Sequence, residues 1–128
     1  MPESAPVLLS RHNLLVATAV LELGSGLVML LLPAEGLWLL LGTADASPAA
    51  LATGRLYGAA LAALGVACWC MRNSPARGMI VGMLVYNVGA CSVLPWVAIM
   101  DGLSGILLWP AALLHAVLTL WCVRVRSA

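Results

Sequence analysis

Four polar side chains fall inside otherwise apolar stretches: Glu22, Arg55, Asn87 and His115. A carboxyl, a guanidinium, an amide and an imidazole are groups that hold a polar ligand head or pass a proton where water is excluded. Ionisable groups in such stretches cost roughly 2.5–3.5 kcal/mol to place in a bilayer, so each is a candidate functional residue. Their distance from flanking arginines sets their level, since a helix rises about 1.5 Å per residue. Glu22 lies eleven residues past Arg11, or roughly 16 Å. Asn87 lies ten past Arg77 and His115 nine before Arg124, or roughly 15 and 13 Å. These three therefore share one level near a bilayer midplane. Arg55, seventeen residues before Arg72, sits higher, roughly 25 Å from the same face.

Charges facing lipid would be unpaired, so Glu22 and Arg55 are expected to turn inward. Arg55 would then pair with Glu22 across tilted helices, or with Glu35 or Asp45 from an outer loop. Alternatively Glu22 is protonated and hydrogen-bonds Asn87 or His115. The plainer role for such residues is to hold helices together; the functional one is the polar floor of a small pocket, or a proton relay.

Other chemistries find less support. Cys68 and Cys70 flank a single residue, which on a helix points them to different faces, so they are no C-x-x-C redox pair. Small apolar thiols are the simpler reading of all four cysteines. A soft-metal site of His12, Cys68 or Cys70, and Cys122 would rest on shared depth alone, and no metal is expected. His12 at the rim and His115 well inside do not match as a haem pair. The chain has no lysine, which excludes a Schiff-base site.

The elements that must position these residues follow from composition. Of 128 residues, 63% are hydrophobic and 9% charged, with a mean hydropathy of +1.06. Soluble chains carry about 25% charged residues, and a chain this small could not cover its surface with so few. Lipid is the expected solvent. The net charge of +1 and the lack of a basic tail argue against nucleic acid. The length admits four spans of about 20 residues and little else, so residues 1–128 are read as one membrane domain.

Spans are expected at about 13–32, 48–71, 76–94 and 104–123. Arg11 before the first run also fits a signal peptide, but the length of the run, Glu22 and the lack of a small-x-small cleavage site argue otherwise. Residues 33–36 read as a turn, and 37–42 as a short interfacial segment anchored by Trp38, or an extension of the first helix. Ser47-Pro48 and Ser74-Pro75 are cap-and-start signals, and Pro95 is expected to end or kink the third helix. Gly54-x-x-x-Gly58 and Gly78-x-x-x-Gly82 permit close helix contacts, within a bundle or at a homo-oligomer seam. Arg11, Arg72, Arg77, Arg124 and Arg126 fall on one side of four spans, while Glu35, Asp45 and Asp101 fall on the other. That bias places both termini in the cytoplasm. Trp69 and Trp121 then lie near the inner face, and Trp38, Trp96 and Trp109 nearer the outer one. The expected fold is an all-α, up-down-up-down bundle in the cell inner membrane.

Several short patterns recur together: Glu22 with Gly24 and Gly26, Pro33 followed by Leu39-Leu40-Leu41-Gly42, Arg55-x-x-Gly58, Tyr86-Asn87, and Leu108-Trp109-Pro110 before His115. The ensemble resembles the small bacterial four-helix membrane proteins of the DoxX-like grouping, over most of the chain. That resemblance implies proximity to quinone, because the name-giving proteins accompany a thiosulfate:quinone oxidoreductase as a small membrane subunit. It carries over no catalytic residue. The expected function is a binding rather than catalytic protein, taking a quinone-like or lipid ligand or docking as a subunit of a larger membrane complex. Glu22, Arg55, Asn87 and His115 would line its polar interior. A proton-coupled carrier, with Glu22 titrating and His115 relaying, is the second reading. A four-helix enzyme of the glutathione-transferase kind is the third, and would want more polar residues at the cytoplasmic rim than Arg72, Asn73 and Arg77.

Overall fold

A computed structural model describes residues 10–44 and 47–127. Five helices follow in order: α1 (Arg11–Leu31), α2 (Pro33–Leu41), α3 (Pro48–Met71), α4 (Arg77–Met100) and α5 (Leu108–Ser127). Four of them, all but α2, are long and apolar enough to cross a membrane. The starts follow local chemistry. Ser10 caps α1 by accepting from the Asn13 N–H at 3.1 Å, and Ser47 caps α3 by accepting from the Ala50 N–H at 3.2 Å. Each satisfies a donor that the first helical turn leaves without a partner.

The break after α1 differs from expectation. Leu32 leaves helical geometry (φ −128°, ψ 58°), and Pro33 starts a new helix at once, its fixed φ being already helical. Residues 33–36 are thus the first turn of α2 rather than a loop, and 37–42 continue it. Gly42, at φ 70°, ends α2 with its N–H on the Trp38 carbonyl. The last carbonyls of a helix need outside donors. Here Leu107 N–H reaches Leu39 O at 2.9 Å and Ser104 N–H reaches Leu41 O at 3.1 Å. The chain before α5 is thereby tied to α2, and Gly105 lies there because a Cβ would meet the Leu40 backbone. With residues 104–107 engaged in this way, α5 begins at Leu108 rather than 104.

Pro95 does not end α4, which continues to Met100. Unpaired backbone groups cost several kcal/mol where water is absent, so uncoiling there would cost more than tolerating one missing N–H.

The packing is in pairs: α1 lies closely along α3, and α4 along α5, with sparser contact between the pairs. The α1–α3 seam is made by glycine. A Cβ on Gly26 would stand 2.6 Å from Ala62 N, and one on Gly58 2.7 Å from Gly26 O, so backbone rests on backbone. Of the two expected glycine pairs, Gly54 and Gly58 are buried in contacts, whereas Gly78 and Gly82 have nothing within 4 Å of a Cβ. Leu14, Leu15, Ile80, Met83, Leu118 and Cys122 form the core that joins the two pairs. At that end Arg11 Nε donates to Val125 O at 2.9 Å, and His12 Nδ1 to Arg72 O at 3.0 Å.

Candidate functional site

Beyond that core the helix pairs diverge, leaving a cleft of about 670 Å³. Its size is that of small-molecule sites, which run roughly 300–1,000 Å³. One end is closed by Gly36, Leu39 and Leu40 of α2, together with Leu107. The hydrogen bonds from Ser104 and Leu107 to α2 are therefore what hold this end in place. The walls are mostly aliphatic, and the polar groups among them are Glu22, Ser25, Tyr57, Tyr86 and His115.

Glu22, Tyr86 and His115 form a connected set. Glu22 is 3% exposed and Asn87 fully buried, so each needs an internal partner. The Tyr86 hydroxyl donates to Glu22 Oε2 at 3.1 Å. Tyr57 of α3 lines the same cleft. On the other side of Tyr86 the His115 ring stands edge-on, with centroids 5.4 Å apart and planes at 89°. His115 Nδ1 is 2.8 Å from Asn87 Oδ1, and Asn87 Nδ2 donates to Met83 O at 2.8 Å. Tyr86 is thus the bridge between an acid from α1 and an imidazole from α5.

Three of the four residues singled out by depth gather here. Asn87 and His115 meet directly, while Glu22 bonds neither of them and takes Tyr86 instead. Arg55 stands apart, and the expectation that it turns inward fails. It is exposed and makes no hydrogen bond or ion pair among the described residues. The inward face of α3 is Gly54, Gly58, Leu61, Gly65 and Cys68, and a residue one after Gly54 is turned about 100° away from that face. Glu35 is exposed on the first turn of α2, where a helix N-terminus favours an acid. The suggested partner Asp45 lies outside the described residues.

Tyr57 and Tyr86 are the residues that depth reasoning passed over. Tyrosine in membrane proteins usually marks the interfaces. Both lie nine residues inside their helices, and that depth was the available signal. The cysteines stay outside the cleft. Cys68 and Cys122 are fully buried, with Cys68 Sγ 3.5 Å from Met83 Sδ, and Cys70 is exposed. Among the described residues no group of three or more His, Cys, Asp or Glu is placed to hold a metal ion.

Comparison with known proteins returns no match: no family model, curated protein or solved structure is similar enough to assign kinship.

Proposed function

We propose that this chain is a small multi-pass inner-membrane protein that binds a hydrophobic ligand in the cleft between its helix pairs. It is a binding protein rather than an enzyme, an up-down-up-down bundle with both termini cytoplasmic, of DoxX-like kind. The observation that carries this reading is the cleft itself. It is aliphatic along its length, carries a small convergent polar group at Glu22, Tyr86 and His115, and so has the form of a site that orients a ligand by its polar end. The lining residues Leu21, Val28, Val85 and Leu114 are exposed, which gives an apolar tail a lateral way out to lipid. A quinone-like molecule or a lipid fits that outline, as would a subunit's place beside a larger membrane partner.

Native mass spectrometry of protein gently extracted from its own membrane tests the reading. Gly89 lines the cleft and has nothing within 4 Å of a Cβ, so a side chain can start there, and Gly89→Leu is chosen to occupy part of the cleft. A small molecule retained by the natural chain and lost in Gly89→Leu is the expected result. Retention by both, or by neither, contradicts a cleft ligand.

The carrier reading draws on one observation: Glu22, Tyr86 and His115 are in contact in a line across the bundle. It requires transport that ceases in Glu22→Gln while the fold persists.

A further inference from the structure

The cleft's hydrogen-bond polarity follows from bonds already described. The Met83 carbonyl can only accept, so the amide atom 2.8 Å from it is nitrogen, and the atom facing His115 Nδ1 is the amide oxygen. That oxygen too can only accept, so the imidazole proton sits on Nδ1. In the neutral ring Nε2 is then a bare acceptor. It has no partner among the described residues. Nor is it sealed from the cleft, since the buried side-chain N and O atoms without a partner are Thr18 Oγ1 and Trp121 Nε1.

Three side-chain donors of the cleft, by contrast, are already used. Ser25 donates to Leu21 O at 2.8 Å and Tyr86 to Glu22. His115 spends its proton on Asn87. Beside His115 the ligand meets aliphatic surface and the Nε2 acceptor.

On the premise that the cleft is a ligand site, we propose that it selects amphiphiles whose polar end carries a hydroxyl, such as phenols and long-chain alcohols, with His115 Nε2 receiving the proton. Against His115 Nε2 a carbonyl or ether oxygen would face acceptor with acceptor and leave both without a partner where water is scarce. An oxidised quinone, which offers only carbonyls, falls on the disfavoured side.

The test is a matched pair, 4-octylphenol and its methyl ether, titrated against the full chain in lipid nanodiscs. Gly89→Leu nanodiscs supply the baseline for partition into lipid. The phenol is expected to bind at least about tenfold more tightly, the factor that one hydrogen bond to an otherwise unpaired acceptor supports, and His115→Leu is expected to erase the preference. Nitrogen-15 NMR of labelled histidine in the natural chain checks the tautomer without any substitution, and a protonated Nδ1 with a bare Nε2 is expected. Equal binding of the pair, or a proton on Nε2, overturns the hydroxyl preference and leaves the cleft reading standing. Failure of both probes to exceed the Gly89→Leu baseline overturns the cleft reading and this inference with it.

Discussion

Replacing Gly58 with alanine should separate the two helices that carry half of the site. A Cβ at Gly58 would stand 2.5 Å from Leu30 N, 2.7 Å from Gly26 O and 2.8 Å from Met29 C. All three are backbone atoms that no rotamer change can move aside. Ordinary contact begins at 3.4 Å, so the closest approach is 0.9 Å short, and α1 and α3 must part by about that much. A gap of about 0.5–1 Å forfeits a quarter to a half of the dispersion energy of each atom pair across the seam. Lipid is as apolar as the helix faces, so this packing is the main term holding the pair. Overpacking typically costs about 1–3 kcal/mol, and backbone-to-backbone contact places Gly58→Ala near the top of that range. The control is Gly82→Ala, where nothing lies within 4 Å. Alanine brings roughly 1 kcal/mol of helix propensity at either position, so the comparison isolates the clash. The two variants should differ by about 3 kcal/mol, roughly a hundredfold in the folding equilibrium. Reversible unfolding in mixed micelles, followed by far-ultraviolet circular dichroism, measures this. Gly58→Ala matching or exceeding the stability of Gly82→Ala would refute the seam, and with it the placement of Tyr57 opposite Tyr86.

Tyr86→Phe should destabilise the chain by about 1–2 kcal/mol in the same assay, because Glu22 loses the donor to its buried oxygen. A double-mutant cycle with Glu22→Gln should return a coupling of order 0.6 kcal/mol, and strictly additive effects would contradict the bond. Arg55→Leu should leave the unfolding midpoint in detergent unchanged, since Arg55 bonds nothing among the described residues; a clear loss would show that it holds the fold. Maleimide should label exposed Cys70 promptly, while fully buried Cys68 and Cys122 should react only as the chain unfolds, with mass spectrometry of peptides assigning each site.

Much of this protein was legible in its sequence because depth along a spanning helix is linear in residue number. Four apolar runs gave four long helices, and counting from the flanking arginines put Glu22, Asn87 and His115 at one level. Asn87 does meet His115, and Glu22 meets Tyr86, the residue beside Asn87. What residue number does not encode is the direction in which a side chain points. In a soluble helix the apolar stripe reveals it, but lipid and bundle interior are equally apolar, so that contrast is missing here. The direction of Arg55 was settled only when glycine took the packed face of α3, and the partner of Glu22 only when α4 brought Tyr86 between the acid and the imidazole. Likewise α2 reads locally as a turn and a short apolar run. It is a helix closing the cleft because its last carbonyls find donors more than sixty residues away, at Ser104 and Leu107. The levels belong to the sequence, while the neighbours, and the cleft between them, belong to the packing.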